Sequence, residues 1–155
     1  EGAVSLGLRH RIHMVYVETA RSSEDFVLTP DIGAPLPMLA TAIGRAWLAR
    51  AAPEERLSVL NQIRVAAPAE FERHAAAAEL AREELARDGF CSARADWQPN
   101  RHGFAVPLHG LVDGMQFVLN CAVATRRGSF AQMRREAAPR LLTLAHSIEL
   151  SLGLR

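Results

Sequence analysis

The apolar residues of this chain change their spacing twice, and that switch restricts the fold more than any single motif. Near the start they recur at every second position: Val4, Leu6 and Leu8, then Ile12, Met14 and Tyr16, with a turn around His10 and Arg11. Alternation sends successive side chains to opposite faces of a strand, so the two runs predict a hairpin. Residues 25–29 (DFVLT) add a third short strand, and Pro30, Gly33, Pro35 and Pro37 then interrupt regular structure.

From residue 41 the spacing becomes three and four. Ile43, Ala46, Trp47 and Arg50 mark a helix over 41–50. A second helix opens at Pro53, with Glu54 and Glu55 near its positive end and Leu57, Leu60 and Ile63 as its apolar stripe. A third, over 69–87, buries Leu80 and Leu85 and stops at Gly89, the residue a left-handed cap favours. The period then returns to two, predicting strands at 89–95, 102–109 and 115–125, with Asp113-Gly114 as a hairpin turn. The last strand is apolar on both faces except at Gln116 and Asn120, so it is expected to be covered on both sides. A closing helix begins at Ser129, with Gln132 in capping-box spacing. Pro139 kinks or restarts it, and Leu141, Leu144, Ala145, Ile148 and Leu152 form its stripe. Strands in runs, not alternating with helices, predict an α+β fold. Its sheet is mainly antiparallel, of about six strands, in the order βββ-ααα-βββ-α, and 155 residues make one domain.

Charge and composition narrow the chemistry. Eighteen basic residues against 17 acidic ones give a net charge of +1, which supplies no one-sided basic surface for nucleic acid. All the basic residues are arginine. The lack of lysine excludes Schiff-base catalysis, pyridoxal phosphate attachment and a phosphate-loop lysine. No apolar run approaches the roughly 20 residues of a membrane helix. Cys91 and Cys121 form neither a Cys-x-x-Cys pair nor a disulfide framework, as expected of a reducing, cytoplasmic setting. No metal or cofactor site is expected. The chain opens directly on a strand with no methionine, which reads as a segment of a longer protein.

Two stretches carry a family likeness. LPMLATAIGRAWLA, Leu36 to Ala49, resembles the signature Pro-Leu-His-Ala-x-Ala-x-Gly-Lys-Ala-x-Leu-Ala. DGF, Asp88 to Phe90, followed by FAVP, Phe104 to Pro107, resembles the pair Arg-Gly-Tyr and Ile-Ala-Val-Pro at the same separation. PEER, Pro53 to Arg56, and the closing helix from Ala137 to Gly153 match in order. On these the chain is identified as a member of the isocitrate lyase regulator (IclR) family of bacterial transcription regulators, covering its effector-binding domain over residues 1–155. The resemblance implies a GAF/PAS-like fold, a homodimer or homotetramer, and a winged helix-turn-helix domain preceding this one. DNA would be bound only through that domain, under control of a small organic acid held here.

The resemblance places the ligand between the sheet and the signature helix. Thr41 can cap that helix, leaving the amides of Ala42, Ile43 and Gly44 for a carboxylate. The plain alternative is that Thr41 only caps and Gly44 only permits close packing. Asn120 and Ala122 share one face of the last strand. An amide at Asn120 needs a partner, since leaving it unpaired costs about 1–3 kcal/mol, and a ligand or a backbone group would serve. Arg101 offers bidentate charge to a carboxylate if it faces the pocket, and is a solvated loop arginine if it does not. Met38 and Trp97 are candidates for an apolar wall. Gly103 and Ala122 stand where relatives carry polar side chains, which predicts a roomier, less polar pocket and a larger or aromatic acid.

Three other readings compete with this one. A GAF-like module of another signalling protein would share the fold, and a dimerisation domain would have a closed core. An enzyme is not expected, because no nucleophile elbow or phosphate loop is present, and Cys91 with His102 or His109 lacks an orienting acid.

Overall fold

The computed structural model describes residues 2–22 and 29–155. Six strands, β1 (Gly2–His10), β2 (His13–Arg21), β3 (Pro35–Pro37), β4 (Cys91–Ala93), β5 (Arg101–Pro107) and β6 (Val118–Ala124), form one sheet in the order β3-β2-β1-β6-β5-β4. Every neighbouring pair is antiparallel. Helices α1 (Ala42–Arg50), α2 (Pro53–Ala66), α3 (Pro68–Asp88) and α4 (Phe130–Ser151) complete the βββ-ααα-βββ-α order read from the apolar spacing.

The hairpin turns at Arg11 and Ile12, with Arg11 at φ 56°. Val17 is an extra residue in β2, so Leu6 pairs with Glu18 but Gly7 with Tyr16. The two apolar runs of the hairpin face opposite ways. Met14 and Tyr16 join the core beneath α1, whereas Val4 and Leu6 pack on the side of α4. The third strand among the described residues is β3, which follows the one expected at 25–29. Residues 25–28 of the expected strand lie outside the described residues, and Thr29 sits in a bend. Leu36, between two prolines expected to break structure, pairs with Met14 at the sheet edge. An edge strand tolerates proline because one row of its amides has no ladder partner to lose.

Local chemistry accounts for the element ends. Both α2 and α3 start on proline with glutamate in the first turn. Gly89 closes α3 in the left-handed conformation at φ 81°. Asp113 and Gly114, at φ 50° and 75°, make the tight turn that joins Val112 to Met115. Ser129 caps α4 by accepting from the Gln132 amide at 3.2 Å, and Pro139 lies inside that helix without ending it.

The sheet is covered on both faces, which is why β6 lacks a polar side. One core joins α1, α2 and α3 to the sheet through Met14, Leu36, Ile43, Ile63 and Val118. The other joins α4 through Phe104, Leu108, Leu119, Met133 and Leu141. Helix α1 is buried along nearly its whole length, from Ala42 to Leu48. Leu57 and Leu80, expected in buried stripes, are instead 61% and 62% exposed. Helix α2 buries Ile63, as expected, together with Val59, and α3 buries Ala78 and Ala81.

Candidate functional site

The start of α1 faces the middle of the sheet across a small cavity of about 40 Å3. Eight of the ten residues expected at the ligand site line it: Thr41, Ala42, Ile43, Trp97, Arg101, Gly103, Asn120 and Ala122. Strand alternation delivers four of them, because Arg101 and Gly103 on β5 and Asn120 and Ala122 on β6 share one face, with Gly103 opposite Ala122. Met38 and Gly44 do not line the cavity. Met38 is fully buried in the α1 core. A Cβ on Gly44 would lie 2.1 Å from the Met38 carbonyl oxygen, so the glycine serves close packing of helix against turn.

Thr41 caps α1 as expected. Its backbone is extended and its Oγ1 accepts from the Gly44 amide at 3.2 Å while donating to the Pro37 carbonyl at 2.6 Å. The Gly44 donor is thereby taken. Among the described residues no acceptor takes the amides of Ala42 and Ile43, and both residues line the cavity. Helix N-terminal amides of this kind carry partial positive charge toward an anion.

Arg101 is not a solvated loop residue. It opens β5, is only 7% exposed, and lines the cavity. Burial presses its pKa down and the nearby Tyr16 hydroxyl opposes that. A guanidinium nevertheless keeps its charge, so the cavity holds a fixed cation. Asn120 finds a partner that the sequence did not suggest: its Nδ2 donates to the Tyr16 hydroxyl at 3.1 Å. Burial pushes that phenol up to about 12, against the pull of Arg101. Tyr16 was read only as a strand residue. The signal was available, because a tyrosine on a strand covered from both sides must place its hydroxyl somewhere polar.

The remaining wall is the connection between β4 and β5, which supplies Asp96, Trp97 and Gln98. Asp96 Oδ2 accepts from Arg45 Nη1 at 2.9 Å. Arg45, 4% exposed, is also held by the carbonyls of Leu39 and Ser92. Ala95 beside it adopts φ 56°, a left-handed conformation that costs a residue with a Cβ on the order of 1–2 kcal/mol. Gln98 Oε1 is buried with no hydrogen-bond partner among the described residues.

The roomier pocket expected from Gly103 is not observed. A Cβ there would meet the Ala42 Cβ at 3.1 Å, so α1 packs close against the glycine and leaves little space at it. A cavity of about 40 Å3 admits roughly three waters, at about 10–15 Å3 each. A larger groove, about 540 Å3, lies on the opposite face between α4 and the sheet. Val4, Cys121, Val123 and Leu141 line it beneath exposed Arg21, Arg127 and Arg140, and it contains none of the ten expected residues.

Comparison with known proteins decides the family. The profile of the bacterial transcriptional regulator IclR C-terminal family matches residues 1–150. The chain belongs to that family. No curated protein matches the chain in sequence. Among solved structures, an IclR family transcriptional regulator from Brucella abortus superposes with a TM-score of 0.87 at 25% identity, over 97% of this chain and 56% of that one. The chain therefore spans just over half the length of that regulator. The C-terminal domain of KdgR from E. coli matches at 0.74 and 22% identity, over 98% and 88% of the two chains. The inducer-binding domain of a PobR double mutant from Acinetobacter, solved with 3-hydroxybenzoic acid, matches at 0.73 and 20%, over 94% and 86%. The α+β fold described above is thus the GAF/PAS-like effector-domain fold of the IclR family. That family comprises transcription regulators, not enzymes. Cys91 accords with this, since its thiol is fully buried, donates to the Ala81 carbonyl at 3.3 Å and is pushed up to about 12 by burial.

Proposed function

We propose that this domain binds a small organic acid in the cavity between α1 and the sheet. Occupancy then changes DNA binding by a winged helix-turn-helix domain of the same protein. The observation that carries the reading is a buried cation, Arg101, on the same small cavity as the unclaimed amides of Ala42 and Ile43. Charge-assisted hydrogen bonds make such a pair selective for a carboxylate. Asn120 and Tyr16 form a polar end for a second substituent, and Trp97, Gly103 and Ala122 enclose the carbon skeleton. Met38 and Gly44 act one step behind, by fixing where α1 begins. The inducer-binding domain from Acinetobacter, solved with an aromatic acid, supports acids of that size as a first panel. The proposal includes a homodimer or homotetramer in the cytoplasm, the form that pairs two DNA-binding heads; light scattering on the purified domain tests the assembly.

Thermal unfolding with a panel of aromatic and short aliphatic acids tests the binding. An acid at 100 times its dissociation constant adds about 2.7 kcal/mol, a rise of roughly 5–10 °C for a domain of this size. The same acid should leave Arg101→Gln unshifted. A panel that moves neither protein would identify a closed dimerisation domain instead.

A further inference from the structure

The cavity, about 40 Å3 and partly open to solvent, is too small to enclose an organic acid as it stands, so enclosing one requires a wall to move. Three of its walls are fixed. The sheet wall is four hydrogen-bonded antiparallel strands. The turn ahead of α1 is buried at Met38, Leu39 and Ala40. It is also tied three times: the Leu39 amide donates to Glu70, the Leu39 carbonyl accepts from Arg45, and Thr41 donates to the Pro37 carbonyl. Helix α1 is buried from Ala42 to Leu48. What remains is the stretch 94–100, which lies in no strand or helix and is half-buried or exposed at every residue.

We propose that this β4–β5 connection is the door of the cavity and that the Asp96–Arg45 ion pair is its latch. The inference rests on the reading of the cavity as a ligand site. The two partners are unequal in a way that suits a latch. Arg45 is held by the Leu39 and Ser92 carbonyls at 2.8 and 3.1 Å whether or not the door is shut. Asp96, with a side chain 34% exposed, can swing into water when it lets go. Opening therefore exposes the carboxylate but leaves Arg45, 4% exposed, with only those carbonyls and no counter-ion, a cost that holds the door shut when no ligand is bound. The far end stays attached, because the Thr125 amide at the end of β6 donates to the Asn100 carbonyl at 3.0 Å. The door swings about that end. Trp97 and Gln98, between latch and hinge, are the cavity residues that move with it. The left-handed Ala95 beside the latch is a conformation that closure imposes and opening releases. Asp96 is thus a positioning residue that acts through the door and not on the ligand.

Trp97 reports the state of the door directly. The chain has two tryptophans, so Trp47→Phe leaves Trp97 as the sole indole. Acrylamide quenching of its fluorescence is measured without ligand in that background, alone and with Asp96→Asn or Asp96→Glu. Losing a charge-assisted bond that is partly screened by solvent moves the opening equilibrium about fivefold, so the quenching constant of Asp96→Asn should at least double. Asp96→Glu keeps the charge and should stay near the parent. Equal quenching in all three proteins overturns the door. A rise of the same size in Asp96→Glu overturns the latch, since it marks lost packing and not a lost ion pair. The arm needs no ligand. If the acid panel fails while quenching rises as stated, the sensor reading fails and the moving segment stands. If the panel succeeds but quenching is flat, the ligand reaches the cavity by another route.

Discussion

The glycine of the signature helix gives the sharpest test of how the site is built, because sequence allowed it two roles. It either lets a ligand approach the backbone or lets helix and turn pack. Replacing Gly44 by alanine separates them. The added Cβ would lie 2.1 Å from the Met38 carbonyl oxygen and 2.5 Å from its carbon and Cα, all backbone atoms that cannot rotate away. The start of α1 would have to retreat by more than an ångström to reach the 3.4 Å at which ordinary contact begins. Overpacking of this kind costs about 1–3 kcal/mol. The retreat also breaks the Thr41–Gly44 cap, worth about 1 kcal/mol. Alanine returns up to about 1 kcal/mol through its better helix propensity, which leaves a net loss of about 2 kcal/mol. For a domain of this size that is a fall in Tm of roughly 4–8 °C, read by circular dichroism with no ligand present. A Gly44→Ala protein that melts at or above the wild-type temperature would refute the packing role and return the glycine to the ligand.

Other outcomes follow from single side chains. Tyr16 is the only tyrosine, so ultraviolet titration should show a phenolate midpoint near pH 12, and a midpoint near 10 would mean the Asn120–Tyr16 pair is open to solvent. Burial pushes the Cys91 and Cys121 thiols up to about 12 and about 11. Alkylation at pH 8 should therefore run at least about a hundredfold slower than for a free thiol, and a fast thiol would reopen a nucleophilic role. Glu149 is almost fully buried. Burial raises its pKa, but hydrogen bonds from the His109 amide and ring and from Arg155 outweigh that and hold it below the ordinary carboxylate value. A carboxylate depressed in the native state contributes stability above its unfolded pKa and loses it as pH falls through the native one. Wild type should therefore lose stability below about pH 4.5, and Glu149→Gln should show a flatter acid limb. The same variant should be about 1.5–3 kcal/mol less stable at pH 7 in urea unfolding. An unchanged acid limb would refute the assignment.

The legible parts of this fold were those written by local chemistry. Gly89, Ser129 and the Asp113-Gly114 turn each act within four residues, and all three do what their neighbours predict. What was illegible depended on partners far away in sequence. Leu36 becomes a strand only because Met14 offers it an edge, and Tyr16 meets Asn120 across 104 residues. The apolar stripes of α2 and α3 could not announce which leucines would be covered, since α3 packs through alanines. At the cavity, eight of the ten residues expected from the family resemblance and from strand and helix periodicity are among the fourteen that line it. The room expected at Gly103 is absent, because α1 packs against it and Ala42 occupies the space a side chain would need.

The sheet order carries a consequence for how the domain is made. Its central seam joins Gly2–Gly7 of β1 to Val118–Val123 of β6, more than a hundred residues later. A ribosome that has released the hairpin and α1–α3 has produced every helical wall of the cavity but not the strand that floors it. Until β6 emerges, β1 presents a bare ladder of amides and carbonyls, the kind of edge that captures other chains. Closing so long a loop is slow compared with local hairpins and helices. Translation rate and chaperone supply should therefore govern the yield of this domain more than its final stability does, and circular permutation that places β6 directly before β1 should speed its folding.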